Sequence, residues 1–292
     1  MPAVPFDYRA PKTLAEALGL LAEFGEDAKP LAGGQSLVPL LTLRLARPAV
    51  LIDLNGLDGL RETRREGDWL QVGALVRHRA LERGDGPLAA CPLLQEAASF
   101  IGNVRVRTLG TIGGSLAHAD PAAELPAVVR ALDGMVLVRG PRGERAVPAA
   151  EFFVGALTTA LAPGELVIGV RLPVLGPRTG YAVEEFSRRA GDFAVVAAVA
   201  VMELSPAGDI ARARVALGGV GSVPQRLPAL EAALAGGRPD ADRLRREALE
   251  TSDALEPEGD VHASAAYRRH LARILTARAL ARAAAAAGRA VA

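Results

Sequence analysis

The sequence predicts an α+β protein in which two small mixed units are followed by an antiparallel sheet and a group of helices. Over the first half of the chain, strand-like and helix-like segments alternate and are separated by glycine and proline. From residue 181, three long strand-like segments follow one another, and SPAGD forms a turn between the last two. Helical periodicity then dominates from residue 228 to residue 287.

Composition narrows the class of protein. Half of the 292 residues are apolar, which suits about two globular domains. With 34 basic and 33 acidic residues, the chain has no general electrostatic reason to bind nucleic acid or an anionic membrane. The longest apolar run, at 193–202, is about half the length of a membrane-spanning helix, and the first residues lack a signal-peptide pattern. We expect no nucleic-acid partner, no transmembrane segment and a cytoplasmic location.

The first unit, residues 1–57, has the order strand, helix, strand, glycine turn, helix and strand. Thr13 can cap the first helix, because its side-chain oxygen can accept a hydrogen bond from an N–H of the first turn. Gly25 ends this helix. We expect strands at 6–9, 28–32 and 49–54, and helices at 14–25 and 37–45.

Two further units follow, at 58–176 and 177–292. The second has a strand at 68–76, helices at 77–84 and 92–102, a hairpin at 135–149 that turns at Gly140–Gly143, and a strand that ends at Pro173. The third has strands at 181–188, 195–204 and 210–220, and helices at 228–235, 240–252 and 263–287. The last helix ends in ARAAAAAG, which has little to bury, so we expect its end to fray.

Two glycine turns, LAGGQSL at 31–37 and TLGTIGGSLA at 108–117, share one pattern. Glycine permits positive φ and close approach of a ligand, and the amides that follow are expected to be free donors that bind anions. Neither turn contains Lys or Arg, so a phosphate would be held by backbone amides with Ser36, Thr111 and Ser115. Neither matches the Rossmann or P-loop pattern. One Gly-Gly turn alone is typical of an ordinary loop, whereas the pair suits a pyrophosphate between two units.

Asp120 and Glu124 follow the second turn. With Pro121 opening a helix, Asp120 is a natural N-cap; alternatively, one of the two carboxylates accepts a hydrogen bond from a ribose or ribityl hydroxyl. An acid–base pair is less favoured, because exposed helical carboxylates at this spacing are common. His118 is either close to the ligand or a solvated loop residue, and the sequence does not decide between them.

Metal binding by this sequence is disfavoured. The single cysteine, Cys91, lies in an apolar stretch with helical periodicity, so we expect its small side chain to be buried. Iron–sulfur clusters need about four thiolates, so this chain alone cannot hold one. The four histidines show no ligand spacing. With only two Asn and four Gln in the chain, Gln35 and Asn103 stand out beside the two glycine turns.

The glycine segments resemble a known family. Residues 31–55 and 101–127, with RRAGDFAVVAAVAVMEL and ARVALGGVGSVPQR further on, are similar to the FAD-binding medium subunit of the molybdenum hydroxylases, the group of carbon monoxide dehydrogenase and xanthine dehydrogenase. The resemblance covers nearly the whole chain. It implies a two-subdomain FAD-binding fold of the vanillyl-alcohol-oxidase (PCMH) type, followed by a C-terminal domain of antiparallel strands and helices.

The resemblance also implies which residues hold FAD, with the two turns around its pyrophosphate. Val167 and Glu184 would lie near the ring or the adenine, and Phe193 matches an aromatic position against the flavin, its alternative being a core residue that starts a strand. Ser115 stands where relatives usually have Asn, and its shorter side chain can still donate to phosphate. The implied cofactor residues are Leu31, Ala32, Gly33, Gly34, Gln35, Ser36, Leu37, Ile101, Gly102, Gly110, Thr111, Ile112, Gly113, Gly114, Ser115, Ala117, Asp120, Glu124, Val167, Glu184 and Phe193.

In that family a large subunit holds the molybdenum cofactor and a small subunit carries two [2Fe-2S] clusters. The resemblance therefore implies that this chain takes electrons from the partner's clusters and passes them to quinone, NAD or oxygen, with no catalytic acid or base of its own. A self-contained flavin oxidase or reductase of the same fold is the first alternative. A non-catalytic nucleotide-binding subunit is the second.

Overall fold

The structure, a computed structural model, describes residues 4–289. Helices cover three sheets, and a two-stranded ribbon is attached to the second. The strands are β1 Asp7–Arg9, β2 Ala28–Leu31, β3 Val50–Asp53, β4 Thr63–Glu66, β5 Trp69–Gly73, β6 Met135–Gly140, β7 Gly143–Pro148, β8 Phe153–Gly155, β9 Thr158–Thr159, β10 Leu166–Pro173, β11 Thr179–Ser187, β12 Ala194–Leu204, β13 Ile210–Gly218 and β14 Gln225–Arg226. The α-helices are α1 Leu14–Phe24, α2 Leu37–Thr42, α3 His78–Arg83, α4 Pro92–Phe100, α5 Val104–Leu109, α6 Ile112–His118, α7 Glu124–Ala131, α8 Ala149–Phe152, α9 Pro228–Leu234, α10 Ala241–Ser252 and α11 Ala265–Arg289.

The first sheet is small and parallel, in the order β1-β3-β2. As predicted, Thr13 caps α1, and it does so in a capping box with Glu16 that satisfies two N–H groups at the helix start. The buried face of this sheet shares its apolar core with side chains that come much later in the chain. Leu60, Leu75 and Leu166 are all part of this core, so the first sheet is completed by the second unit.

The second sheet is antiparallel, in the order β4-β5-β10-β6-β7. The predicted hairpin is confirmed, with Gly140 paired to Gly143 at its turn. Beside this sheet, α4, α6 and α7 contribute the fully buried side chains of Leu94, Leu116 and Leu125 to the largest apolar core. Burial of these apolar side chains stabilises the packing of the helices on the sheet.

The third sheet has the order β11-β12-β13-β14, and α11 lies across β11 and β12. At Gly180 a Cβ atom would lie 3.0 Å from the carbonyl carbon of Ala283 and closer still to its oxygen, so the helix backbone rests directly on the strand. Ala283 and Ala287 are fully buried there. The prediction that the alanine-rich end of the last helix frays is therefore wrong up to Arg289, because a glycine in the strand gives the small side chains a close surface.

Several elements near the second glycine turn differ from the sequence predictions. The helix expected to open at Pro121 begins at Glu124, and the sequence analysis predicted no helix where α5 lies. The carbonyl oxygen of Pro121 accepts a hydrogen bond from the N–H of Gly219 at 2.8 Å, which holds this segment against the third sheet in a non-helical form. Over residues 4–289, no helix combines the length and the apolar character that a membrane crossing needs.

Candidate functional site

The two glycine turns lie against each other. A Cβ atom on Gly33 would be 2.7 Å from the Cα of Gly110 and 2.9 Å from the carbonyl carbon of Leu109, so only glycine allows this approach of the two backbones. On the other side of the contact, a Cβ on Gly114 would be 3.9 Å from the Cβ of Ala32. The fold thus brings together segments 32–36 and 109–115, of which the first follows β2 and the second joins α5 to α6.

The first turn supplies free donors, as the sequence predicts. The backbone N–H groups of residues 33–36 make no hydrogen bond within the part of the chain that the structure describes. Gln35 fastens the turn, because its Nε2 donates to the carbonyl oxygen of Gly33 at 2.9 Å, and Gly34 has a φ of +71°. Backbone amides that meet no protein acceptor can bind an anionic ligand.

The second turn is held differently from the prediction. The N–H groups of Ile112 and Gly113 donate to the carbonyl oxygens of Val76 and Ala74, at 3.0 and 2.9 Å. The N–H groups of residues 114 and 115 are also bonded, both to Thr111, through its Oγ1 and its carbonyl oxygen. The expectation that the amides following this turn are free is therefore wrong for residues 112–115. The N–H of Thr111 itself meets no acceptor within residues 4–289.

Tight packing explains why both glycines of the second pair are needed. A Cβ on Gly113 would lie 2.5 Å from the Cβ of Ala74 and 2.7 Å from its oxygen, and one on Gly114 would lie 2.9 Å from Thr111 Oγ1. The second turn is thus a rigid wall fixed to the end of β5, while the first turn carries the open donors.

Several exposed side chains near the turns are apolar. Val38 of α2 and Leu109 of α5 flank the contact between the turns, and they are 50% and 51% exposed. Phe193 is 64% exposed, which excludes the alternative of a core residue. Its loop contacts Gly102, another residue that the resemblance implies at the cofactor, because a Cβ on Gly191 would lie 3.2 Å from the carbonyl group of Gly102. Exposed apolar groups beside anion-binding amides suit a ligand with a flat ring and a phosphate.

The hydrogen bonding of Asp120 and the burial of Glu124 differ from what the sequence predicts. Asp120 caps no helix; its Oδ1 accepts a hydrogen bond from the N–H of Ala122 at 2.9 Å, within the turn before α7. Glu124 is buried rather than exposed, and it faces Glu185 of β11. Burial and the nearby carboxylate of Asp120 raise the pKa of Glu124 to about 7, and burial and the neighbouring Glu124 raise that of Glu185 to about 8.

The other predicted cofactor residues lie on several different elements of the fold. Val167 is buried in the second sheet, where β10 has a bulge beside β6. Glu184 is ion-paired with Arg282 of α11 at 2.7 Å. Ile101 is buried at the end of α4, and Ala117 is exposed on α6. Leu31 and Leu37 flank the first turn at the end of β2 and the start of α2.

Sequence reasoning missed three side chains that support the turns. Asn55 Nδ2 donates to the carbonyl oxygen of Ala32 at 2.8 Å, and Arg77 donates both to Asn55 Oδ1, at 2.6 Å, and to the carbonyl oxygen of Leu109. Asn55 is one of only two asparagines in the chain, so its rarity was an available signal. His78 is buried against Gly110, and this burial lowers its pKa to about 4, so its ring is neutral at neutral pH.

A dinucleotide flavin fits this arrangement. The free amides and the glycine backbone suit a diphosphate, and the exposed apolar side chains suit an isoalloxazine ring. Among the described residues, no group of three or more His, Cys, Asp or Glu side chains could hold a metal ion. Cys91 is fully buried, and burial raises its pKa to about 11. The fold and the paired turns therefore define a flavin-binding protein with two cofactor-binding units and a third sheet.

Comparison with known proteins identifies the family. Residues 4–175 match the FAD binding domain in molybdopterin dehydrogenase, and residues 181–283 match the CO dehydrogenase flavoprotein C-terminal domain. The chain belongs to the family of FAD-binding medium subunits of the molybdenum hydroxylases, as its resemblance predicts. FAD is thus its cofactor, and the chain is a subunit of an oxidoreductase.

Relatives and solved structures match over nearly the full length. Caffeine dehydrogenase subunit beta of Pseudomonas sp. strain CBB1 is 42% identical, over 97% of this chain and 96% of that protein. The 6-hydroxypseudooxynicotine dehydrogenase complex subunit alpha of Paenarthrobacter nicotinovorans is 41% identical, over 95% and 94%. A chain of carbon monoxide dehydrogenase from Hydrogenophaga pseudoflava has a TM-score of 0.94 at 38% identity, over 98% of this chain and 99% of that chain.

Proposed function

We propose that this chain is the electron-relay subunit of a three-subunit molybdenum hydroxylase. In this proposal the chain receives electrons from two [2Fe-2S] clusters of a small subunit, and a large subunit with the molybdenum cofactor oxidises the substrate. The electrons then leave to an external acceptor, for which quinone, NAD and oxygen are the candidates. FAD, when bound, supplies the redox chemistry, because it can accept electrons and release them again.

One observation carries the proposal: the two glycine turns meet at Gly33, and the N–H groups of residues 33–36 have no acceptor among residues 4–289. Such a cradle binds a diphosphate through the backbone, as the resemblance implies for segments 32–36 and 111–115. A second feature supports the relay. The chain has one cysteine and no metal-ligand cluster among its described residues, so its electrons must come from another chain or from a substrate.

In this proposal the residues of this chain bind FAD, orient its ring and shield the ring from water. The amides of the first turn and Thr111 would bind the phosphates, while Ser36 and Ser115 could add hydroxyl donors. Val38, Leu109 and Phe193 would cover the ring and limit its contact with water. Three units organise the site in this proposal, namely residues 1–57 and 58–176 around the cofactor and residues 177–292 behind the ring.

The experiment is a co-purification with a functional readout. A tagged full-length chain is expressed in its native genomic setting, purified, and analysed for subunits, iron, molybdenum and FAD. We expect two further chains, about four iron atoms per FAD, and substrate-dependent bleaching of the flavin absorbance in the complex. The isolated chain with FAD should be bleached by dithionite but not by the substrate of the complex.

Two results would contradict the proposal. If the isolated chain with FAD turned over a small substrate by itself, it would be a self-contained flavin enzyme. If the tagged chain purified with FAD but without iron-containing partners from cells that produce the whole operon, the relay would lack its electron source. A Cys91→Ala variant is the matched control, because the relay needs no thiol from this chain.

A further inference from the structure

Two side chains, one from each cofactor-binding unit, connect the two glycine turns through hydrogen bonds. Asn55 follows β3 of the first sheet, and its Nδ2 donates to the carbonyl oxygen of Ala32 at 2.8 Å. Arg77 precedes α3, and its two terminal nitrogens donate to Leu109 and to Asn55 Oδ1, the latter at 2.6 Å. These hydrogen bonds run in series from the first turn to the second. We call Asn55 and Arg77 the interturn clamp.

The Asn55 end of the interturn clamp is anchored. Asp53 Oδ1 accepts hydrogen bonds from the backbone N–H and from Nδ2 of Asn55, at 2.9 and 2.6 Å, and Tyr8 donates its hydroxyl proton to the other oxygen of Asp53. Burial opposes the charge of Asp53, but these hydrogen bonds outweigh it and lower its pKa. The amide of Asn55 is therefore held in one orientation by an ionised carboxylate.

The interturn clamp acts on the carbonyl side of the turns. Within a planar trans peptide, the C=O and the following N–H point in opposite directions. A hydrogen bond to the carbonyl of Ala32 therefore directs the N–H of Gly33 away from the clamp, and Gly33 is one of the free donors. The N–H of His78 holds the carbonyl of Gly110 at 3.0 Å and directs the free N–H of Thr111 in the same way.

Positive charge exceeds negative charge around Asn55. Arg61 also reaches this residue, donating to its carbonyl oxygen at 2.7 Å, so Asn55 contacts two guanidinium groups and the one carboxylate of Asp53. Burial and the neighbouring Arg61 lower the pKa of Arg77, which is the signature of two crowded cations. Behind turns that contain no Lys or Arg, this excess favours an anion on the opposite face.

We propose that the interturn clamp fixes the spacing of the two glycine turns and thereby selects a flavin with a diphosphate over a flavin with one phosphate. A diphosphate can reach both the open amides of the first turn and the N–H of Thr111, so it needs the two turns at one distance, whereas a single phosphate is satisfied by the first turn alone. Asn55 and Arg77 are positioning residues, since they act through the backbone of the turns. This inference rests on the proposed function of the turns as the FAD cradle.

The test compares two ligands. Dissociation constants for FAD and FMN are measured with the full-length chain, by flavin fluorescence, for the wild type, Arg77→Ala, Asn55→Ala and the double variant. We expect each single substitution to weaken FAD about tenfold and FMN less than about twofold, because only FAD uses both turns. The double variant should be no worse than either single one, since one substitution already breaks the series. Arg83→Ala is the control, as this exposed arginine of α3 pairs only with Asp85.

The outcomes separate spacing, charge and folding. Arg77→Lys keeps the charge but loses the planar fork that joins two acceptors, so it should lose most of the preference for FAD. If Arg77→Lys kept the wild-type preference, charge alone would explain the effect and the clamp would be wrong. The proposal would also be overturned if the Asn55 and Arg77 variants, in their flavin-free form, had the Tm of the wild type and kept its ratio of FAD affinity to FMN affinity. A wild-type chain that bound neither flavin would instead overturn the proposed function.

Discussion

Replacing Gly33 by Ala tests the close contact between the turns. The new Cβ would lie 2.7 Å from the Cα of Gly110, whereas carbon atoms in contact prefer about 3.5–4.0 Å. The turns must therefore separate by about 1 Å. A hydrogen bond to a charged group contributes about 1.5–3 kcal/mol, and 1.4 kcal/mol corresponds to a factor of ten. Loss of one such bond should weaken FAD binding by about 10-fold to about 140-fold.

The assay for Gly33→Ala is a flavin fluorescence titration with thermal unfolding of the flavin-free chain in parallel. Overpacking should cost about 1–3 kcal/mol of stability, or about 2–4 °C in Tm for each kcal/mol. Gly19→Ala is the control, because nothing lies within 4 Å of its Cβ and this helical site should gain about 0.5–1 kcal/mol. A Gly33→Ala chain that binds FAD like the wild type would refute the reasoning that this contact shapes the cradle.

Three further predictions concern other parts of the chain. Burial and the neighbouring Glu124 raise the pKa of Glu185 from 4.5 to about 8, so the folded chain keeps a proton that the unfolded chain loses, and the free energy of unfolding falls as pH rises from about 5 to 8. Glu185→Gln should flatten this slope in thermal melts recorded across that pH range. An unchanged slope would contradict the assignment to Glu185. Phe193→Ala should change the reduction potential or the absorbance of the flavin. It should shift the Tm of the flavin-free chain by less than about 2 °C, since the phenyl ring is 64% exposed. A flavin with unaltered potential and absorbance would mean that Phe193 does not lie against it. Cys91, fully buried and with its pKa raised to about 11, should resist thiol reagents until the chain unfolds, and rapid labelling of the native protein would contradict its burial.

Periodicity and turn chemistry were enough to predict much of the fold. The helix predicted at 14–25 is Leu14–Phe24, and the hairpin turns at Gly140–Gly143 as expected. In both cases the signal is local, because the capping Thr13 and the turn glycines lie next to the segments that they bound. The family resemblance, carried by the two glycine segments, gave the cofactor and the three-part architecture.

What the sequence missed depends on partners far away in the chain. Asp120 and Pro121 carry a strong local helix signal, yet Gly219 binds the carbonyl of Pro121 and delays the helix to Glu124. The amide of Gly113 looks free in the sequence, but Ala74 accepts its hydrogen bond. Such contacts between distant segments leave no local pattern, so tertiary structure overrides the helix and turn signals there.

One residue of the core beneath the first sheet comes late in the chain, which affects when this sheet can pack during synthesis. Parallel strands this short cannot form a stable sheet alone, and Leu166 of β10 belongs to the core that supports β1, β2 and β3. The AGGQS segment therefore leaves the ribosome long before the apolar layer beneath it can close. We therefore expect the flavin to be captured late in translation, and a nascent chain that stops before Leu166 should hold neither a packed first sheet nor a cofactor.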